Sequence, residues 1–115
     1  MTNIDKRPWG EYEVLLDENN VKVKKITVQP GGRLSYQYHN KRSEVWTIIE
    51  GTGLLTRDGA TEIISPGNIL TIPQGCKHRL ENTGSQVITF IEVQMGSYFG
   101  EDDIIRIEDD YGRKD

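Results

Sequence analysis

Apolar and polar positions alternate with a period of two in parts of this chain and give way to short apolar runs elsewhere. Val21, Val23, Lys25 and Thr27 interleave with Lys22, Lys24, Ile26 and Val28, and a short run from Leu34 to His39 behaves likewise. A strand puts alternate side chains on opposite faces, so this pattern predicts half-buried strands. More continuous apolar runs lie at Glu44 to Glu50 and Gln86 to Gln94, and shorter ones at Trp9 to Leu16, Leu54 to Arg57, Thr61 to Ile64, Asn68 to Ile72, Lys77 to Glu81 and Asp103 to Glu108. Between them stand breakers: Asp17-Glu18-Asn19-Asn20, Gln29-Pro30-Gly31-Gly32, Gly51-Thr52-Gly53, Asp58-Gly59, Ser65-Pro66-Gly67, Pro73-Gln74-Gly75 and Asn82-Thr83-Gly84-Ser85. Proline fixes one corner of a turn and glycine permits positive φ. Asp58-Gly59 between two apolar runs is a two-residue hairpin signal. No stretch carries the period of an amphipathic helix. Many short strands at regular spacing predict an all-β sandwich or small barrel, whose interior leaves room for one ligand.

The 115 residues suit one domain with a modest core, taken here as 1–115 with 1–6 a flexible N-terminus and 101–115 an acidic segment able to add a strand. No run of eighteen apolar residues is present, so no membrane span is expected, and the start has no apolar leader. The expected compartment is the cytoplasm. A single cysteine, Cys76, excludes an internal disulfide and reads as a small residue in a tight corner. Residues 1–100 balance 11 Lys/Arg against 11 Asp/Glu, so the net charge of −4 lies in the tail. Nothing in that balance attracts a polyanion, and no nucleic-acid partner is expected.

The chemistry gathers in two stretches. Gln37 and His39 share one face of a strand, Glu44 opens the next apolar run, and His78 follows Pro73-Gln74-Gly75. Should the two stretches be neighbours in one barrel, Gln37, His39, Glu44 and His78 converge as oxygen and nitrogen donors for a divalent metal. Zinc suits two imidazoles; manganese, iron and nickel stay open, because such ligands discriminate weakly. Arg33 falls on the same face as Gln37 and His39, and its fork suits phosphate or carboxylate. Lys41 and Arg42 stand on a polar loop beside the site, as a phosphate rim. Lys77 and Arg79 point to the opposite face by alternation. Glu92 and Gln94 share a face of their strand, without the pattern saying which face is inward.

The same residues carry a resemblance. Gly31, Gln37, His39, Glu44 and Gly51 are spaced as the first motif of the cupin superfamily, with Gln37 at its first histidine position; Gly67, Pro73, Gly75, His78 and Asn82 match the second without deviation. The resemblance implies a cupin β-barrel, the double-stranded β-helix or jelly roll. Further stretches are similar to the isomerase domain of type II mannose-6-phosphate isomerase, which is fused there behind a mannose-1-phosphate guanylyltransferase domain. They are Arg7-Pro8-Trp9-Gly10, Arg33-Leu34-Ser35, Gln37-x-His39, His78 to Asn82, Ile91 to Gln94, Gly100 to Ile104, and Glu108-Asp109-x-Tyr111-Gly112-Arg113. This likeness spans about residue 7 to 113 and implies interconversion of mannose 6-phosphate and fructose 6-phosphate through an enediolate, with zinc on Gln37, His39, Glu44 and His78 as the electrophile. Guanylyl transfer is not expected from it. The related domains carry more histidines where this chain has Asn40, Lys41 and Val45, so the general base is unassigned, with Arg33, Lys41 and Glu92 as candidates. Arg33, Lys41, Arg42 and Gln94 are the expected contacts for a sugar phosphate. Two other classes stay open: a non-catalytic metal-dependent sugar-binding cupin, and a dioxygenase or decarboxylase of a small acid. Strand edges, with Trp9, Tyr12, Tyr36, Tyr38 and Trp46 as apolar surface, predict a homodimer.

Overall fold

The computed structural model describes residues 3–112 of the chain. Its strands are β1 Asn3–Arg7, β2 Gly10–Asp17, β3 Val21–Val28, β4 Tyr36–Tyr38, β5 Arg42–Glu50, β6 Gly53–Arg57, β7 Ala60–Ile64, β8 Ile69–Ile72, β9 His78–Glu81, β10 Ile88–Gly96 and β11 Ile105–Glu108, with one 3₁₀ turn at Glu101–Asp103. They form two antiparallel sheets, β1-β2-β3-β10-β5-β8 and β11-β4-β9-β6-β7, which enclose the core. Among the described residues there is no helix long and apolar enough to cross a membrane.

The alternation seen in the sequence becomes the inner and outer faces of these sheets. On the inner face of the larger sheet the register places Val28 opposite Ile88, then Ile26 opposite Phe90, then Lys24 opposite Glu92. On the other side of β10, Phe90 faces Ile48, Glu92 faces Trp46 and Gln94 faces Glu44. The interior is therefore graded along the strands. One end is hydrocarbon; the other carries Lys24, Glu92, Gln94, Glu44 and Arg42, all buried. Trp46 stacks on Phe90 with ring centroids 4.5 Å apart where the two regions meet. The fully buried Phe90, Ile48, Leu55, Leu80 and Ile88 contribute about 1.5–3 kcal/mol each by leaving water.

Turn chemistry sets the connections. Arg57 pairs with Ala60, so Asp58 and Gly59 alone make the turn, at φ 48° and 86°. Two positive φ values define the type I′ turn that asparagine, aspartate and glycine favour. The N-terminal end differs from the sequence reading, and the C-terminal segment adds the strand expected of it. Residues 4–6, expected to be flexible, belong to a strand: Asp5 pairs with Tyr12 and Lys6 with Glu11. Their polar composition hid this, since the strand is held by ladder hydrogen bonds rather than by an apolar face. β11 pairs with β4, Ile105 opposite Tyr38 and Arg106 opposite Gln37. Met1, Thr2 and residues 113–115, which include Arg113 of the resemblance and Lys114 and Asp115 of the tail, lie outside the described residues.

The aromatic residues expected to cover a dimer interface mostly do not face outward. Trp9, Tyr12 and Trp46 are buried, because each falls on an inner face or against the cavity. The large exposed apolar side chains are instead aliphatic, with Ile63 66%, Ile69 69% and Ile49 52% exposed.

Candidate metal centre

The two motif stretches are sewn together by their backbones. Gly75 N–H donates to His39 C=O at 2.7 Å, Leu34 N–H to Leu80 C=O at 3.0 Å, and Asn82 N–H to Gly32 C=O at 2.9 Å. Asn82 completes the seam: its side-chain amide donates to the carbonyls of Val28 and Gln86, and its oxygen accepts from Gly84 N–H. The register then sets Gln37 opposite His78.

One donor atom each from His39, Glu44 and His78 lies within 4.8 Å of the others, and all three residues are buried. Their tautomers follow from their partners. His78 Nδ1 lies 2.9 Å from Cys76 C=O and His39 Nδ1 lies 3.3 Å from Asp103 C=O. A carbonyl only accepts, so both Nδ1 atoms carry the proton and both Nε2 atoms present a lone pair inward. His78 Nε2 has no hydrogen-bond partner among the described residues. His39 Nε2 stands 3.2 Å from Glu44 Oε2, two acceptors face to face. Burial pushes the His39 imidazolium down to about 3, helped by the Arg42 and His78 charges. Burial lowers His78 as well. Both rings are therefore neutral, as ligation requires. This arrangement fits a divalent cation: two oriented imidazoles, one carboxylate, and an orphaned buried nitrogen that a positive ion would satisfy.

Glu44 is held from two sides. Trp46 Nε1 donates to its Oε1 at 2.9 Å, and Arg42 Nε to its Oε2 at 2.9 Å. Arg42 Nη2 also approaches His39 Nε2 at 3.5 Å. Arg42 was expected on a rim loop; it is instead the first residue of β5, 3% exposed and facing inward. The strand starts two residues earlier than its apolar run, which puts Arg42 in phase with Glu44 and leaves Lys41 outside.

Other expected contacts are placed elsewhere. Lys41 is exposed, with its ammonium 5.0 Å from the Tyr98 ring centre. Arg33 does not line the cavity. Its Nε donates to Asp110 Oδ2 at 2.7 Å, and Nη2 to Asp110 Oδ1, outside the barrel. The expected phase fails because Arg33 is not in a regular strand; it forms an isolated bridge with Glu81, and Leu34 and Ser35 both line the cavity. Arg79, discounted as an inner group, is buried on the outer side, bonded to Leu34 C=O and Glu108. Gln37 lines the cavity and its Oε1 accepts from Ser35 Oγ at 2.6 Å. Glu92 and Gln94 face inward, the face that alternation left undecided. Gln94 donates to Glu92, and Gln94 Oε1 has no hydrogen-bond partner among the described residues. Burial, then the charge of Glu44, raises the Glu92 carboxyl to about 7. Cys76 is buried and raised to about 11, consistent with an inert corner residue.

A cavity of about 70 Å³ opens beside this centre. Its wall includes Lys24, Glu101 and Arg106, none of which the sequence reading singled out. Lys24 was the detectable one, since it alternates in phase with Ile26 and Val28.

Residues 2–109 match the family described as Mannose-6-phosphate isomerase C-terminal. The chain belongs to that family. Among relatives of this family, a mannose-1-phosphate guanylyltransferase of Escherichia coli is 47% identical over 107 residues, covering 93% of this chain and 23% of that protein. The xanthan biosynthesis protein XanB of Xanthomonas campestris is 46% identical with the same coverage. The alginate biosynthesis protein AlgA of Pseudomonas aeruginosa is 47% identical, covering 93% and 22%. The chain thus spans under a quarter of the length of these curated relatives. Among solved structures, the capsular polysaccharide assembling protein CapF of Staphylococcus aureus superposes with TM-score 0.83 at 17% identity, covering 95% of this chain and 35% of that one. An RmlC-like cupin of Shewanella frigidimarina gives TM-score 0.75 at 20% identity, covering 88% and 87%. The fold is that of the cupins. The expected activity, interconversion of mannose 6-phosphate and fructose 6-phosphate, is corrected by the same findings: these relatives carry the names of guanylyltransferases and polysaccharide biosynthesis proteins, not of an isomerase. Of the candidate bases, Arg33 and Lys41 stand away from the cavity wall, and Glu92 lines it.

Proposed function

We propose that this domain binds a divalent metal through His39, Glu44 and His78, with Gln37 as a fourth ligand, and takes a phosphorylated sugar into the adjoining cavity. The observation that carries the reading is the pair of neutral imidazoles whose inward lone pairs meet a buried carboxylate. Such an arrangement holds two acceptors at 3.2 Å, which a cation between them would stabilise. Two imidazoles favour zinc, with manganese, iron or nickel as alternatives. When bound, the metal supplies a Lewis acid for a sugar oxygen. The chain's own groups do the rest: Asp103 and Cys76 carbonyls orient the imidazoles, and Trp46 fixes Glu44. The sugar is proposed to be a mannose phosphate, because the family description and the relatives' names share that chemistry. The cytoplasm is proposed as its compartment, in keeping with a lone buried thiol, and a homodimer is proposed through the exposed isoleucines of β5, β7 and β8.

The test is metal analysis of the purified protein followed by calorimetric titration with zinc. Wild type is expected to bind one zinc per chain, and H78A to lose at least about a hundredfold in affinity. Mannose 1-phosphate is expected to bind the zinc-loaded protein. Equal zinc affinity in wild type, H39A and H78A would discard the metal centre.

A further inference from the structure

Beside the candidate metal donors, positive charge collects on the wall of the cavity. Arg7 at the end of β1, Lys24 of β3, Arg42 of β5 and Arg106 of β11 share its wall with Tyr12, Glu92 and Glu101. These cations come from four separate strands, and two of them, Arg42 and Arg106, have a buried donor without a partner among the described residues. Arg42, 3% exposed, gives Nε to Glu44 but its Nη1 has no hydrogen-bond partner among the described residues. Arg106 Nε is in the same position. Lys24, 4% exposed, holds its ammonium 4.1 Å from the Tyr12 ring centre and 3.7 Å from Glu101 Oε2. Arg7 Nη2, which donates to the Tyr12 hydroxyl, stands 3.8 Å from Glu101 Oε1. The Glu101 carboxylate therefore faces two cations at ion-pair range without reaching hydrogen-bond distance.

Buried guanidinium donors without acceptors are costly, and a single distant carboxylate does not fill them. A dianion with three free oxygens does, by charge-assisted hydrogen bonds to a lysine and several arginine forks at once. A neutral sugar hydroxyl has neither the charge nor the number of acceptors. We propose that Lys24, Arg42, Arg7 and Arg106 form the subsite for a phosphate monoester, and that the Glu101 carboxylate is a built-in competitor displaced when the phosphate binds. The Glu101 side chain is 46% exposed, so it has solvent to swing into. The inference rests on the reading of the domain as a sugar-phosphate binder and names where the phosphate sits.

Inorganic phosphate and mannose 1-phosphate, with mannose as the uncharged control, are titrated separately into zinc-loaded wild type, K24M, R106M and E101Q at low salt. Circular dichroism checks that each variant is folded. Both phosphates are expected to bind wild type in mutual competition, with affinity falling as salt is raised. K24M and R106M should each weaken both phosphates about tenfold or more, and E101Q should tighten them severalfold. If K24M and R106M bind mannose 1-phosphate as wild type does, the subsite is wrong while the sugar-phosphate reading stands. If E101Q binds no tighter, the competitor role is wrong. If zinc-loaded wild type takes neither phosphate, both readings fall.

Discussion

Glu44 is the side chain on which the centre turns. Its two oxygens are divided between Trp46 and Arg42, so each donor is needed to keep a buried carboxylate stable. W46F removes the indole N–H and leaves Oε1 unpaired; it should cost about 1–3 kcal/mol, read as a lower urea midpoint at unchanged slope. Glu92 gives a second test. Its carboxyl is raised to about 7 from an ordinary 4.5, by burial first and by Glu44 second. Between those values the folded chain keeps a proton that the unfolded chain releases. Stability from this group is thus complete below about pH 4.5 and is lost as pH rises through 7. His39 works the other way: folded at about 3 against 6.5, it withdraws stability as pH falls below 6.5. Metal-free E92Q should therefore gain on wild type more at pH 8 than at pH 5, measured by urea midpoints. A gain equal at both values would contradict the raised carboxyl. That His39, Glu44 and His78 lie together agrees with the expectation drawn from the cupin-like motifs, in which these residues stand at fixed offsets from glycine turns. Their tautomers were not legible there, because these depend on the carbonyls of Asp103 and Cys76.

Strands carried most of the legible information. β3 alternates in sequence, while β5 and β10 read as continuous apolar runs whose burial alternates only in the folded sheet. Where the backbone is irregular the phase is lost, and Arg33 shows it: four residues before Gln37, it points to Asp110 instead of the cavity. Lys24 shows the opposite lesson, a charged residue whose inward placement was implied by its apolar neighbours in phase. The 3₁₀ turn Glu101–Asp103 gave no periodic signal, yet Asp103 accepts from the backbone N–H groups of Asn40 and Lys41 at 3.1 and 2.9 Å and from His39 Nδ1 through its carbonyl. It clamps the loop that carries His39. D103A is expected to lower zinc affinity about tenfold or more without removing a ligand, as read by competition with a chelator. The β6–β7 hairpin is a third check. Gly59 at φ 86° has open space around it, so Gly59→Ala should cost about 1–2 kcal/mol from backbone conformation alone.

Taken whole, the molecule depends on its last segment more than its acidic composition implied. β11 covers the edge of β4, Glu108 pairs with Arg79, Asp110 with Arg33, and Glu101 faces Arg7 and Lys24. A chain cut after Gly100 would lose all of these together with the clamp on His39, and should bind zinc at least about tenfold more weakly, checked by the same competition. The exposed isoleucines make the second expectation at this size. Ile69 and Ile63 lie on β8 and β7, the end strands of the two sheets, where a partner copy would cover both apolar surface and open edge. Light scattering at micromolar concentration should return twice the chain mass, and I63K with I69K should return one.

The lengthwise grading of the interior has an evolutionary consequence. Rows such as Val28–Ile88 and Ile26–Phe90 keep the scaffold standing, while the polar rows further along the strands hold the buried charges. Changes among the latter can alter the proposed ligand pocket without eroding the hydrocarbon that holds the sheets together. Descendants of such a barrel are free to drift in appetite while inheriting the same frame.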